Sequence, residues 1–81
     1  MNIEDIVTRL KQLEGLKHLQ IDPNGQHVEL DIVSPVFEGL SRLNRQKLVY
    51  RHLQDMIADG RLHAVNLHTY TPDEWKWNVL E

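Results

Sequence analysis

The sequence predicts an α+β domain, a two-layer sandwich in which helices pack on a three-stranded mixed sheet in the order αββ, short turn, αβα. Three observations carry that prediction. Two alternating apolar/polar segments flank the turn-former DPNG, which makes a hairpin. A strand-like run, a long helical run and a second strand-like run then follow one another, which reads as a right-handed crossover joining parallel strands. The chain has 81 residues, so one domain over 1–81 with one small core is expected.

Each element has its own signature. Ile3, Ile6, Val7, Leu10 and Leu13 recur at helical spacing and predict a first helix over about 3–13. Asn2 can cap it, Glu4 and Asp5 suit its positive end, and Gly15 stops it. HLQID alternates, with Leu19 and Ile21 on one side, and QHVELDIV resumes the alternation with Val28, Leu30 and Ile32. Pairing across Pro-Asn or across Asn-Gly puts those five residues on one buried face. His18, Gln20, Asp22, His27, Glu29 and Asp31 are left on a wet one.

Pro35 and Gly39 interrupt the chain, with room for one helical turn around Val36 to Glu38. Ser41 is a good cap for a helix over 42–58. Its apolar stripe is Val49, Leu53, Met56 and Ile57, with Tyr50 at the margin and Lys47 and Arg51 pointing away. Asp59-Gly60 ends it. RLHAVNLHT is the third strand, with His63, Val65 and Leu67 on one face and Ala64, Asn66 and His68 on the other. Thr71-Pro72-Asp73-Glu74 is a capping box opening a last helix, from Pro72 to near the end of the chain. Trp75 and Val79, four apart, are expected to face the core, and Trp77 another side. All helices are expected on one face of the sheet.

Composition narrows the chemistry. There is no cysteine, hence no disulfide and no thiolate, while five histidines (His18, His27, His52, His63 and His68) make imidazole the only soft ligand. The net charge of −3 argues against a phosphate-backbone binder. One basic run, Arg42, Arg45, Lys47 and Arg51, has no acid within it and reads most simply as a solvated helix face. No apolar run is long enough to cross a bilayer. The opening MNIEDIV is acidic where a secretory leader is basic and then apolar, so the cytoplasm is the expected location. There is no P-loop, GxGxxG or HExxH, and a set drawn from Ser41, His63 and Asp59 lacks the glycines of a nucleophile elbow. An enzyme is not expected.

The crossover gives two of the histidines a shared position. Neighbouring parallel strands begin at the same end of a sheet, so His27 and His63 gather there. Alternation nevertheless assigns them to opposite faces, and only strand-end twist or a folded hairpin tip brings them together. Two imidazoles, even with Asp22 as a third donor, fall short of a closed zinc site. Half a site completed by a partner's thiolates fits better. The plainer readings are a packed His63 whose ring is bonded to backbone and an exposed His27. His18, His52 and His68 read as surface or structural.

The segments Phe37-Glu38-Gly39-Leu40-Ser41, Arg45, Val49-Tyr50, Leu62-His63-Ala64-Val65 and Thr71-Pro72-Asp73-Glu74-Trp75 resemble the BolA family over nearly the whole chain. The short length and histidine-bearing hairpin look most like its acid-stress-associated branch. The resemblance implies a fold related to the KH domain with the second type of topology. It also implies a monothiol glutaredoxin partner and a role in handling iron–sulfur clusters. The glutaredoxin and glutathione would supply thiolates to a shared two-iron two-sulfur cluster, with none expected in the isolated chain. The LHAV-type histidine, here His63, would be one ligand, and His27 from the first hairpin the candidate for a second.

The alternative is a transcriptional or stress regulator that binds DNA through the helix 42–58, using Arg42, Arg45, Lys47 and Arg51. The family includes members reported as transcriptional regulators, but the GXXG clamp of KH domains is missing. Trp77 is a further candidate partner contact. A third reading is an adaptor that binds glutaredoxin without sharing a cluster. A weak homodimer is compatible with any of the three.

Overall fold

The computed structural model describes residues 3–25 and 27–79, except for the side chains of 77–79. Its elements are α1 (Ile3–Leu10), β1 (His18–Asn24), β2 (His27–Val33), a short 3-10 turn (Pro35–Phe37), α2 (Arg42–Ala58), β3 (Ala64–Tyr70) and α3 (Pro72–Val79). The sheet order is β1-β2-β3, antiparallel then parallel, as the hairpin and crossover require. The proposed cap Asn2 lies outside the described residues.

α1 is shorter than its periodicity suggests. After Leu10 the chain tightens, with Gln12 N–H on the Arg9 carbonyl at 3.2 Å and Leu13 N–H on the Leu10 carbonyl at 3.0 Å. Leu13 is still buried, so the apolar stripe outlasts the regular helix. The hairpin also differs from expectation. β1 runs on through Pro23 to Asn24, which pairs with His27, so the turn follows Asn24 instead of falling on Pro-Asn or Asn-Gly. Pro23 is tolerated because β1 is an edge strand and needs no N–H on its outer side. Gly25, at φ +66°, takes the left-handed position of the turn. The slip is by an even number of residues, so the faces survive: Leu19 pairs with Ile32 and Ile21 with Leu30.

Ile6, Leu10 and Leu13 from the first helical segment, Val28, Leu30 and Ile32 from β2, and Val49, Leu53 and Met56 from α2 form the core with Phe37 and Leu62. Ile57, placed in the stripe by spacing, is 37% exposed, because Met56 already fills that turn's contact with the sheet. Ser34, wholly buried, ties three segments together. Its hydroxyl donates to the Glu14 carbonyl at 2.7 Å and accepts from Val36 N–H at 3.2 Å, while its own N–H donates to the Tyr70 carbonyl at 3.0 Å.

The expectation that all helices lie on one face is corrected. Register puts His18, Val33 and Tyr70 side by side on the face opposite the core. Trp75 of α3 covers that row, stacked on His18 at 5.0 Å and tilted against Tyr70 at 5.1 Å. Val33 is 1% exposed although it stands outside the main core cluster. Trp75 therefore does not join the principal core, and the wet face is wet along only part of its length. The side chain of Val79 lies outside the described residues.

α3 is held by the predicted capping box. Glu74 N–H donates to the Thr71 hydroxyl at 3.2 Å, and Thr71 N–H to the Glu74 carboxylate at 2.8 Å. Arg45 completes the joint, with its guanidinium on Glu74 at 2.7 Å and on the Leu40 carbonyl at 3.0 Å. Hydrogen bonding from Arg45, together with the Thr71 amide, holds the Glu74 carboxyl below the usual glutamate range. A lowered folded-state value means the stabilisation is present above the ordinary glutamate pKa of about 4.3 and is lost as pH falls through the folded value. Thermal melts should therefore show Glu74→Gln less stable than wild type at neutral pH, with the gap closing as the solution is acidified below about pH 4. Gly15 generates a second prediction. It sits at φ +69°, and an added Cβ would lie 2.9 Å from the Pro35 ring. Gly15→Ala should cost about 1–3 kcal/mol in urea unfolding.

Candidate functional site

The loop before β3 is fixed at both ends. Leu62 is wholly buried, and its N–H donates to the Met56 carbonyl at 3.1 Å. Arg61 bonds to Asp59 through its N–H at 3.0 Å and its Nε at 2.8 Å, and also reaches Asp55 at 3.4 Å. Asp55 is in turn held by Arg9 of α1, whose hydrogen bond keeps the Asp55 carboxyl below its ordinary range. These contacts tie the chain to α2 up to the residue before His63.

His63 lies one residue before β3, not within it, because β2 offers its first pairing position, His27, to Ala64. Both histidines are exposed. Strand spacing and rise put their backbones about 6 Å apart. His63 precedes the regular pleat, so strand alternation does not by itself assign it to a face. Neither ring has a hydrogen-bond or ion-pair partner among the described residues, so a His63 bonded to backbone is not what the structure shows. Asp22 pairs with Glu29, two residues further into the sheet. No group of three or more His, Cys, Asp or Glu that could hold a metal occurs among the described residues. The end of the sheet thus presents two imidazole donors and no enclosure.

The other histidines lie elsewhere, and the buried Nε2 of His18 has no hydrogen-bond partner among the described residues. His18 stacks on Trp75, His52 Nδ1 lies 3.2 Å from the Leu48 carbonyl, and His68 Nε2 lies 3.8 Å from the Glu29 carboxylate. The basic run divides. Arg42, Lys47 and Arg51 are exposed and without an acidic partner among the described residues, whereas the Arg45 side chain is 14% exposed and bound to Glu74. Lys47 and Arg51, four apart, share a helix face that Arg42 does not. The side chain of Trp77 lies outside the described residues.

Spacing alone did not reveal the Arg45–Glu74 joint or the contact of the Tyr50 hydroxyl with the Val65 carbonyl at 3.4 Å. The only signal was a charged and a phenolic side chain at the margin of the α2 stripe, on the side where an edge strand must pack.

Comparison with known proteins now adds to the geometry. The family profile described as BolA-like protein matches residues 6–74. The acid stress protein IbaG of Escherichia coli is 36% identical over 75 residues, covering 93% of this chain and 89% of its own length. A BolA protein homologue from Coxiella burnetii has a similar solved structure, with TM-score 0.78 and 32% identity over 94% of this chain and 97% of that one. The BolA domain of SufE1 from Arabidopsis thaliana matches with TM-score 0.78 and 28% identity, covering 91% and 98%. The profile match spans both histidine-bearing segments, the Arg45–Glu74 joint and the whole sheet, and this chain belongs to the BolA-like protein family.

Proposed function

We propose that this protein is a non-enzymatic partner of a monothiol glutaredoxin, donating His63, with His27 beside it, to a two-iron two-sulfur cluster held between them. One observation carries the reading. Two exposed histidines without partners among the described residues belong to the same end of the parallel strand pair, in a chain with no thiolate. The donor set fits half of such a site: imidazole is an accepted ligand on one iron of a two-iron cluster, and the remaining ligands must be thiolates from elsewhere. When bound, the cluster supplies transferable iron and sulfide and a redox centre.

The chain's own contribution is positional and protonic. The braced loop at 59–62 fixes where the His63 ring can reach, which lowers the ordering cost of a shared site. Neutral imidazole ligands raise a cluster's potential relative to thiolate. Iron binds only a deprotonated imidazole nitrogen, so protons compete with the metal for its ligands, and acid loosens the assembly. Stress naming of a relative, the acid stress protein IbaG, is in keeping with a proton-sensitive assembly. Nucleic-acid binding through 42–58 is less well supported. Arg45 is bound to Glu74, and the remaining cations do not share one face.

Mixing the protein with cluster-loaded monothiol glutaredoxin and glutathione should produce a new visible absorption and circular dichroism spectrum. His63→Ala should abolish it and His27→Ala should weaken or alter it. Lowering the pH from 7.5 to 5.5 should reverse it. One spectrum common to wild type and both variants would return the histidines to a surface role.

A further inference from the structure

β3 is an edge strand, and its outer side is only partly closed. The Ser34 N–H reaches the Tyr70 carbonyl, so the backbone of Tyr70 faces β2, and by alternation so does that of His68, Asn66 and Ala64. The backbone groups of Val65, Leu67 and Thr69 therefore face outward. Side chains of α2 meet two of them: the Tyr50 hydroxyl donates to the Val65 carbonyl at 3.4 Å, and Arg45 donates to the Thr69 carbonyl at 3.5 Å. Leu67 lies midway between these caps. Its N–H and its carbonyl have no partner among the described residues.

A groove of about 770 Å³ runs along this stretch, between β3 and the first turns of α2, with Arg42 and Gln46 on its wall and Leu67 on its floor. Its one carboxylate, Glu74, is already held by Arg45 and the Thr71 amide. Arg42 has no acidic partner among the described residues, and the first turn of α2 contains no acid. Open backbone groups below and an unneutralised cation above define one kind of occupant. We propose that the slot between the Tyr50 and Arg45 caps binds a short, extended, acidic segment of a partner protein, which adds to β3 as a fourth strand and sets a carboxylate against Arg42. The caps lie about 13 Å apart along the strand, so the paired stretch is short. Its affinity rests on the two Leu67 hydrogen bonds and the charge contact. This inference does not rest on the cluster reading, which concerns the histidine side chains and not the outer backbone edge of β3.

The test is nuclear magnetic resonance of the full chain, titrated with a peptide of alternating valine and glutamate. A valine–lysine peptide and hexathymidylate serve as comparisons. The amides of Val65, Leu67 and Thr69 should shift and exchange more slowly with the valine–glutamate peptide, while those on the outer edge of β1 stay unchanged. Arg42→Glu should weaken that binding about fivefold and reverse the preference between the two peptides. Tyr50→Phe, which uncaps the Val65 carbonyl without altering charge, should bind at least as well as wild type. The proposal is overturned by an absence of shifts at millimolar peptide, by shifts along β1, or by an Arg42→Glu variant that binds unchanged. Protection of the same amides that grows with protein concentration alone would assign the slot to a second copy. Preferential binding of hexathymidylate would assign it to nucleic acid. Either result overturns the acidic-peptide reading.

Discussion

The parallel pairing of β2 with β3 is the constraint on which the rest of the molecule depends. Parallel neighbours cannot be joined by a tight turn, so the chain must leave the sheet, cross it and return. α2 makes that crossing, and its buried stripe of Val49, Leu53 and Met56 closes the core over β2. Residue pairing from His27–Ala64 to Val33–Tyr70 then decides which side chains share each face and which residues share each end. A shift of the register by one residue would turn every β3 side chain to the wrong face.

The two ends of this ladder are treated differently. At its start, the ladder begins with His27 and Ala64, and His63, the residue before Ala64, is exposed like His27. At its finish, the Ser34 amide locks onto the Tyr70 carbonyl, Trp75 covers His18 and Tyr70, and the Thr71–Glu74 box with Arg45 secures α3. The closed end is secured by packing and hydrogen bonds, and the open end is left to solvent. Clusters of buried contacts resist local opening, whereas exposed groups at an element's beginning are free to meet a partner.

Arg45 shows why a charge pattern is ambiguous until packing is known. In sequence it belongs to a run with Arg42, Lys47 and Arg51, a plausible footprint for an acidic or phosphate-bearing partner. In the fold it bonds to the Leu40 carbonyl, the Glu74 carboxylate and, at longer range, the Thr69 carbonyl. Its role is to join α2 to α3 and to cover one end of an exposed strand edge. The three cations that remain exposed do not form a single surface, and each has to be assigned from its own surroundings.

Local signals in the chain were enough to determine much of this. The Ser41 cap, the Thr71–Glu74 box and the two periodicities act over a few residues, and each set its element without help from the rest of the chain. The crossover rule then delivered the parallel pair, and with it the shared end of His27 and His63. Tertiary structure decided what local signals cannot encode. The hairpin turn moved past Asn24 because an edge strand tolerates Pro23, a fact about neighbours. Trp75 went to the far face because an uncovered row of His18, Val33 and Tyr70 exists only once three strands are in register. His63 falls outside the strand because the ladder of β2 and β3 begins at His27 and Ala64. In each case the outcome turned on which residue lay alongside in space, and no spacing along a single chain specifies that.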